Sequence, residues 1–444
     1  MRTRKLKTIL SCLLSLCVLG TGVLSGCGQS DVRSDEVALN YEEYDSGVAD
    51  FNEETALGEL VTISGWLNPD CVKNLMAYLA EQFPDCKFNY RYISKGSYEY
   101  LMDSQLSSKT ASDIVMLSPT MAKKHAKNRY IEDITDLCDN FDDTGRMTFM
   151  YGNRIYAVPC TSDYLCVFYN KDLLEKTGRR IPVSFDEFLD LCDYVQENMG
   201  IKPMSAGFKD SEMVANSAMA MLGSRFFATE EGKNFSSRVA YGRASFKDDI
   251  RPYMGRWQDL LNHKVYTREM CIMDDTAAIS EFAAGDSLMY QGVLYDYNRI
   301  KEANPDIRMG TMALSTELQG KTILIGGCNN GFGLNKNAKN KDLAVKVLKA
   351  IASEQGQRAL WEDRQGSQTY LKDVRFDNPT EFDYIRPLTT TSHVMMPWTE
   401  WGAHSSEIYK VLGQELQKVV LGDRSIEIAF QVIDDKVRQI LTEN

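Results

Sequence analysis

The sequence predicts an α/β fold of two lobes with a cleft between them, on three observations. Residues 59–128 alternate strand and helix three times, the pattern of right-handed parallel crossovers. Around residues 151–170 one extended run ends at Pro159, which has no place inside a central strand, and a second, Leu165–Tyr169, is apolar throughout, as in a strand buried on both faces. Only Thr161-Ser162-Asp163-Tyr164 separates them, so the chain leaves one compact unit, crosses a polar segment and enters another. With 444 residues it is long enough for two or three domains.

Composition narrows the class. Hydrophobic residues make up 43% and charged residues 25%, ordinary for a globular protein, and the net charge of −12 argues against nucleic acid as a partner. At the N-terminus Arg2, Arg4, Lys5 and Lys7 precede a mainly apolar stretch from Ile9 to Leu24, short for a membrane span. Leu24-Ser25-Gly26-Cys27 follows and resembles the lipobox of bacterial lipoproteins, in which the leader is removed and the cysteine lipidated. Residues 1–26 are therefore expected to be a lipoprotein signal peptide and Cys27 the lipidation site; losing the four cations takes the charge from −12 to −16. Eight cysteines lie beyond Cys27 with no C-x-x-C pair and no zinc spacing, a count that permits disulfides or buried thiols alike.

Residues 27–56 are acidic and aperiodic and read as a flexible tether. Strands are expected at Glu59–Trp66, Lys87–Ile93 and Ser112–Leu117, with helices at Cys71–Gln82, Tyr98–Ser107 and from Pro119 to about Asn128. Further on, Ser184-Phe185-Asp186-Glu187 forms a capping box, Asp249–Asn262 and Asp275–Ala284 read as helices, and Gly285 suits a left-handed cap. Ser287–Gln291 reads as a strand. Arg308–Leu314 is expected to be a second crossing between lobes and Ala352–Trp361 to lie near a third.

Several segments, in order, resemble one family. They are Gly152–Pro159, Phe168-Tyr169-Asn170-Lys171-Asp172-Leu173-Leu174, Phe282-Ala283-Ala284-Gly285-Asp286-Ser287-Leu288-Met289, Gly326-Gly327 through Ala344, and Ser353-Glu354-Gln355-Gly356-Gln357. Together they are similar to the sugar-type (family 1) extracellular solute-binding proteins of ABC importers. The resemblance implies a periplasmic-binding-protein-like (type II) fold, with lobe one at 57–162 and 311–353 and lobe two at 163–310 and 354–444. It also implies a lipid-anchored receptor outside the cytoplasm that closes about hinges on a carbohydrate, expected to be an oligosaccharide, and hands it to a membrane permease. A monomer is expected, with no cofactor, no metal and no catalysis. The chain departs from the family pattern at Leu294, where many members carry Trp, with Tyr295 next to it.

A sugar presents CH faces and hydroxyls, so its site needs aromatic platforms and planar polar groups. Trp66 and Ser118 follow strand ends, where ligands bind in such sheets. Asp163 and Tyr164 match the family's first hinge. Tyr295, Asn329, Asn330 after two glycines, and Trp398 of Pro397-Trp398-Thr399-Glu400-Trp401 complete the candidates, with Asp113, which as a strand opener also suits a structural role. Trp257 and Trp361 read as core. A cationic solute would suit Asp113, Asp163 and Glu400; an anionic one needs cations, and near the crossings only Arg308 stands out. A glycoside-acting enzyme would need two facing carboxylates, for which Asp163 and Glu400 are available. No H-E-x-x-H, G-x-S-x-G or P-loop occurs, and Asp139–Asp143 fails the EF-hand pattern.

Overall fold

A computed structural model describes residues 41–45, as backbone only, and 59–315, 321–389 and 393–442. The expected leader, Cys27 and most of the expected tether lie outside these residues. The strands, in chain order, are β1 (Tyr41–Asp45), β2 (Glu59–Gly65), β3 (Cys86–Ile93), β4 (Ile114–Leu117), β5 (Met150–Tyr151), β6 (Arg154–Ile155), β7 (Val158–Pro159), β8 (Asp163–Asn170), β9 (Lys202–Ala206), β10 (Ser287–Val293), β11 (Met309–Met312), β12 (Leu324–Gly327), β13 (Gly331–Leu334) and β14 (Val394–Met395). One six-stranded sheet runs β1-β3-β2-β4-β13-β7; a second runs β14-β12-β8-β10-β9, with β11 also on β8. β5 and β6 form a separate hairpin.

The first sheet grows from the predicted strand–helix repeats. β2 pairs parallel with β3 and β4, with helices Lys73–Gln82, Lys95–Ser108 and Pro119–Lys127 between and after them. The core here joins Val61, Ile63, Phe88, Tyr90 and Met116 to Phe332, Val347 and Leu348, so a late segment of the chain closes an early sheet. β1 adds an antiparallel strand to β3, so Tyr41–Asp45, expected within the tether, belongs to the sheet. The helix expected from Cys71 starts at Lys73, because Pro69–Cys71 forms a 3-10 turn capped by Asn68 rather than by Asp70.

In the second sheet β8 behaves as its composition predicts. Leu165, Val167 and Tyr169 enter one core with Phe188, Met204, Met219, Trp257 and Trp401. Cys166 and Phe168 enter a second core on the other face with Phe282, Tyr290 and Phe382. Each such side chain contributes roughly 1.5–3 kcal/mol by leaving water. Ser184 accepts from the Glu187 N–H at 3.2 Å, starting the helix Phe185–Asn198. Gly285 caps Asp275–Ala284 at φ +83°. The helix expected from Asp249 begins only at Gly255, because Pro252 lacks an N–H and the chain before it runs as a π turn and a 3-10 turn.

Sheet membership relocates two crossings. β11 and β12 both pair with β8, so Met309–Met312 and Leu324–Gly327, expected in part to bridge to or lie in lobe one, extend the second sheet. The chain returns to the first sheet between Gly327 and Gly331. The helix Glu354–Glu362, expected to open the final part of lobe two, packs with Leu360, Tyr370 and Leu371 in the first core. Val374 still packs on the first core and Asn378 is bonded to Trp361, Gly366 and Ser367. Phe382 is the next residue to enter the second sheet's cores, so the third passage falls between Asn378 and Phe382.

Candidate functional site

Strand direction decides which sequence candidates meet. On the first sheet, Trp66 follows the end of β2 and Ser118 the end of β4. Leu117 pairs with Gly331 and Gly331 with Pro159, which puts Asn330 and Cys160 on that same edge. On the second sheet, Asp163 opens β8 opposite Gly327, and Val293 pairs with Leu165, so Tyr295 comes to the same end. β14 runs parallel to β12, which brings Met396 and Trp398 to that edge too. Trp66, Ser118, Asp163, Tyr164, Tyr295, Asn329, Asn330 and Trp398 therefore lie on or beside the two edges joined by the crossings.

Asp113 is the correction. It sits at the other end of β4 and its carboxylate is fully engaged: Oδ2 accepts from the Thr62 N–H at 2.9 Å and the Thr62 hydroxyl at 2.8 Å, and Oδ1 from the Lys339 N–H at 2.7 Å. It ties β2, β4 and the turn after β13 together. Ser118 caps the helix Pro119–Lys127 by accepting from the Met121 N–H at 3.2 Å. Arg308 pairs on the surface with Asp172 at 2.5 Å and Glu175 at 3.1 Å, beside the far end of β8.

At the crossings the polar groups are crowded and dry. Asp163 is 7% exposed. Its Oδ2 accepts from Asn329 Nδ2 at 3.1 Å, whereas Oδ1 is buried with no hydrogen-bond partner among the described residues. Burial pushes its carboxyl up, opposed chiefly by the charge of Arg364 and by the Asn329 bond. Asn330 Nδ2 donates to Asn329 Oδ1 at 2.6 Å. Gly326, at φ +138°, lets the backbone meet Asp163: a Cβ there would stand 2.0 Å from the Asp163 carbonyl oxygen. The first crossing is clasped to the turn after the helix Glu354–Glu362, Ser162 N–H donating to the Gln368 carbonyl and Gln368 N–H to Ser162 Oγ, each at 2.8 Å.

Aromatic rings line this region. Trp66 meets Tyr98 edge-on at 5.0 Å and Trp398 stacks on Tyr409 at 4.3 Å. Tyr164 is buried and hydrogen-bonds with Ser162 and Tyr370. Next to Trp398 a pocket of about 440 Å³ is lined by residues including Phe227, Lys233, Ser236, Met396 and Glu400. It reaches the crossings through Met396, whose Cε lies 3.5 Å from the position a Gly327 Cβ would take.

A family model described as bacterial extracellular solute-binding protein matches residues 74–379, well over half of the chain. The chain belongs to that family. The multiple sugar-binding protein of Streptococcus mutans is 20% identical over 256 residues, 58% of this chain and 60% of that relative, so the match spans less than two thirds of its length. A family 1 extracellular solute-binding protein from Bifidobacterium longum subsp. infantis superposes with TM-score 0.62 at 20% identity, over 86% of this chain and 100% of that one. A sugar transporter protein from Bacillus licheniformis, in complex with stachyose, gives TM-score 0.71 at 16% identity over 85% and 99%. These likenesses establish a two-lobed solute-binding fold.

In this solute-binding protein the lobes also touch at the rim. Lys95, on the first lobe, pairs with Glu212, at the start of the helix Ser211–Leu222, at 2.7 Å. Thr120 and Ser406 hydroxyls meet at 2.9 Å, and Lys410 Nζ donates to the Gly96 carbonyl at 3.3 Å.

Sequence reasoning missed Arg364. It follows the helix Glu354–Glu362, has no exposed surface, and stands over the Tyr295 ring at 5.0 Å. Nη1 reaches Asn330 Oδ1 at 3.5 Å; Nε and Nη2 have no partner among the described residues. The third crossing was expected near Ala352–Trp361, a stretch that stops three residues before Arg364. The available signal was the Asp363-Arg364 pair just past the end of an amphipathic helix, two residues before Gly366. The eight downstream cysteines are free thiols, all buried except half-buried Cys86, and burial pushes the Cys160 thiol up to about 12. Among the described residues no group of side chains is arranged to hold a metal, and no helix is long and apolar enough to cross a membrane.

Proposed function

We propose that this protein is a carbohydrate receptor of an ABC importer, held at the outer face of the membrane by a lipid on Cys27. The observation that carries this reading is the set of buried polar atoms left without partners where the lobes meet. Besides Asp163 Oδ1 and the Arg364 edge, Thr161 Oγ1 and Ser367 Oγ are buried and unpaired. A buried polar group without a hydrogen bond costs about 1–3 kcal/mol, and a polyhydroxylated guest supplies the missing donors and acceptors to all of them at once. The rings of Trp66, Tyr295 and Trp398 offer faces for CH groups. The pocket beside Trp398, about 440 Å³, falls within the roughly 300–1,000 Å³ of small-molecule sites. The Streptococcus mutans and Bacillus licheniformis relatives, by their names, handle sugars, which agrees with this reading.

We take lobe one as 59–162 with 328–378 and lobe two as 163–315, 321–327, 382–389 and 393–442. The guest bridges both and shifts the population toward the closed form, which the permease subunits then engage. Linkage makes the test simple: a guest at 100 times its Kd adds about 2.7 kcal/mol of stability. A thermal-shift screen of oligosaccharides is expected to give at least one rise in Tm. A rise with amino acids, peptides or polyamines and none with any saccharide would replace the carbohydrate assignment. Incubation of the stabilising saccharide with the protein is expected to return it uncleaved; cleavage products would make the protein a glycoside-acting enzyme.

A further inference from the structure

We propose that Arg364 and Asp163 together read a pair of adjacent hydroxyls on an uncharged sugar ring, and that Arg364 is the residue that sets this specificity. The inference rests on the carbohydrate reading and names the feature of the guest that the site selects.

The geometry begins with which nitrogens are free. Nη1 of Arg364 is turned to Asn330, while Nε and Nη2 are bare. These two lie on one edge of the planar guanidinium, the edge that donates two parallel N–H bonds to a pair of neighbouring oxygens. A carboxylate offers such a pair, and so do two hydroxyls on adjacent ring carbons. The surroundings choose between them. Asp163 senses Arg364 as its strongest opposing charge, and its Oδ1 is the bare acceptor of the same crossing. One carboxylate and one guanidinium leave the enclosure near neutrality. Lys95, the next cation that Asp163 senses, is already paired with Glu212. A guest carboxylate would therefore bring a second negative charge beside Asp163 in a dry setting. A diol brings none. Its two oxygens accept from Nε and Nη2, and one of its hydrogens is donated to Asp163 Oδ1, which satisfies all three bare atoms. Tyr295, under the guanidinium, holds the plane of that edge in place.

Titration calorimetry on the purified protein tests this, with raffinose, stachyose, maltotriose and xylotriose as neutral probes and trigalacturonate as the acidic one. The wild type is expected to bind at least one neutral probe, with a Kd that changes less than twofold between 50 and 500 mM NaCl, and to bind trigalacturonate at least tenfold more weakly. Arg364→Lys keeps the charge but loses the two-pronged edge, and is expected to weaken the neutral probe by roughly 30-fold or more. Asp163→Asn keeps the shape and loses the charge, and is expected to weaken it by roughly tenfold or more. Both variants are checked by unliganded Tm, and the inference is judged on whichever folds. A neutral saccharide held within threefold by the folded variants, or trigalacturonate binding more tightly than every neutral probe, overturns the inference and leaves the carbohydrate reading standing. Binding of no saccharide at all removes both.

Discussion

Two buried aspartates that open strands, Asp113 and Asp163, make opposite use of the same group. Asp113 opens β4 at 3% exposure and accepts three hydrogen bonds, two from Thr62 and one from Lys339. Asp163 opens β8 at 7% exposure; its Oδ2 accepts from Asn329, whereas Oδ1 has no hydrogen-bond partner among the described residues. Burial is nearly equal, so burial does not tell a binding residue from a structural one. The balance of donors and acceptors does. A saturated carboxylate has spent its capacity inside the fold, and one left open in a dry place lowers its free energy when a guest arrives.

Alanine at each position should separate the two roles. Asp163→Ala is expected to weaken the bound saccharide by about 100-fold or more, with stability unchanged or slightly raised, because a charge buried with few partners has been removed. Asp113→Ala is expected to cost about 3 kcal/mol of stability in chemical denaturation while leaving the Kd within twofold, since three orphaned donors remain in the first lobe and none faces the guest. If the two substitutions act alike in both measurements, the distinction drawn here has no content.

The contrast extends to the rim. Lys95–Glu212 is a half-exposed pair across the lobes, and such pairs contribute about 0–1 kcal/mol. Glu212→Gln is therefore expected to weaken saccharide binding by no more than about fivefold and to enlarge the unliganded radius of gyration in small-angle scattering. A loss as large as that of Asp163→Ala would move the seat of recognition from the crossings to the rim.

The smallest effect is on pH. Asp363 holds the N–H of Asn74 at 2.6 Å, yet burial pushes its carboxyl up to about 7; Asp296, beside Arg299, is pushed up to about 6. A carboxyl raised on folding binds protons more readily in the native state, so stability increases as pH falls through the folded pKa toward the unfolded value near 4. Tm is expected to rise modestly from pH 8 to pH 5.5, and Asp363→Asn to flatten that rise. A Tm that drops steadily over this window would contradict both assignments.

Much of the fold was legible because its signals are local. The strand–helix alternation of 59–128, the apolar run of β8 and the Ser184 cap each follow from a few neighbouring residues. The crossings were less so. β11 and β12 look like connectors in the sequence, but pairing with β8, 139 to 164 residues away, decides their sheet, and no local pattern carries that register. Of the site, the Asp163 crossing and the Gly-Gly-Cys-Asn-Asn turn were visible through polar residues set between apolar runs. Asp113 was a ligand candidate with a structural role also in view; the sequence could not decide between them, because the partners that settle it, Thr62 and Lys339, come from distant segments. Arg364 was invisible for a related reason: among 50 Lys and Arg residues, only three-dimensional burial sets one apart.

The most direct test of the account is a crystal structure of the protein with a saccharide it binds. The prediction is one sugar ring between the lobes with adjacent oxygens within about 3.2 Å of Arg364 Nε and Nη2 and a hydroxyl on Asp163 Oδ1. A bound sugar that leaves those three atoms bare would contradict it.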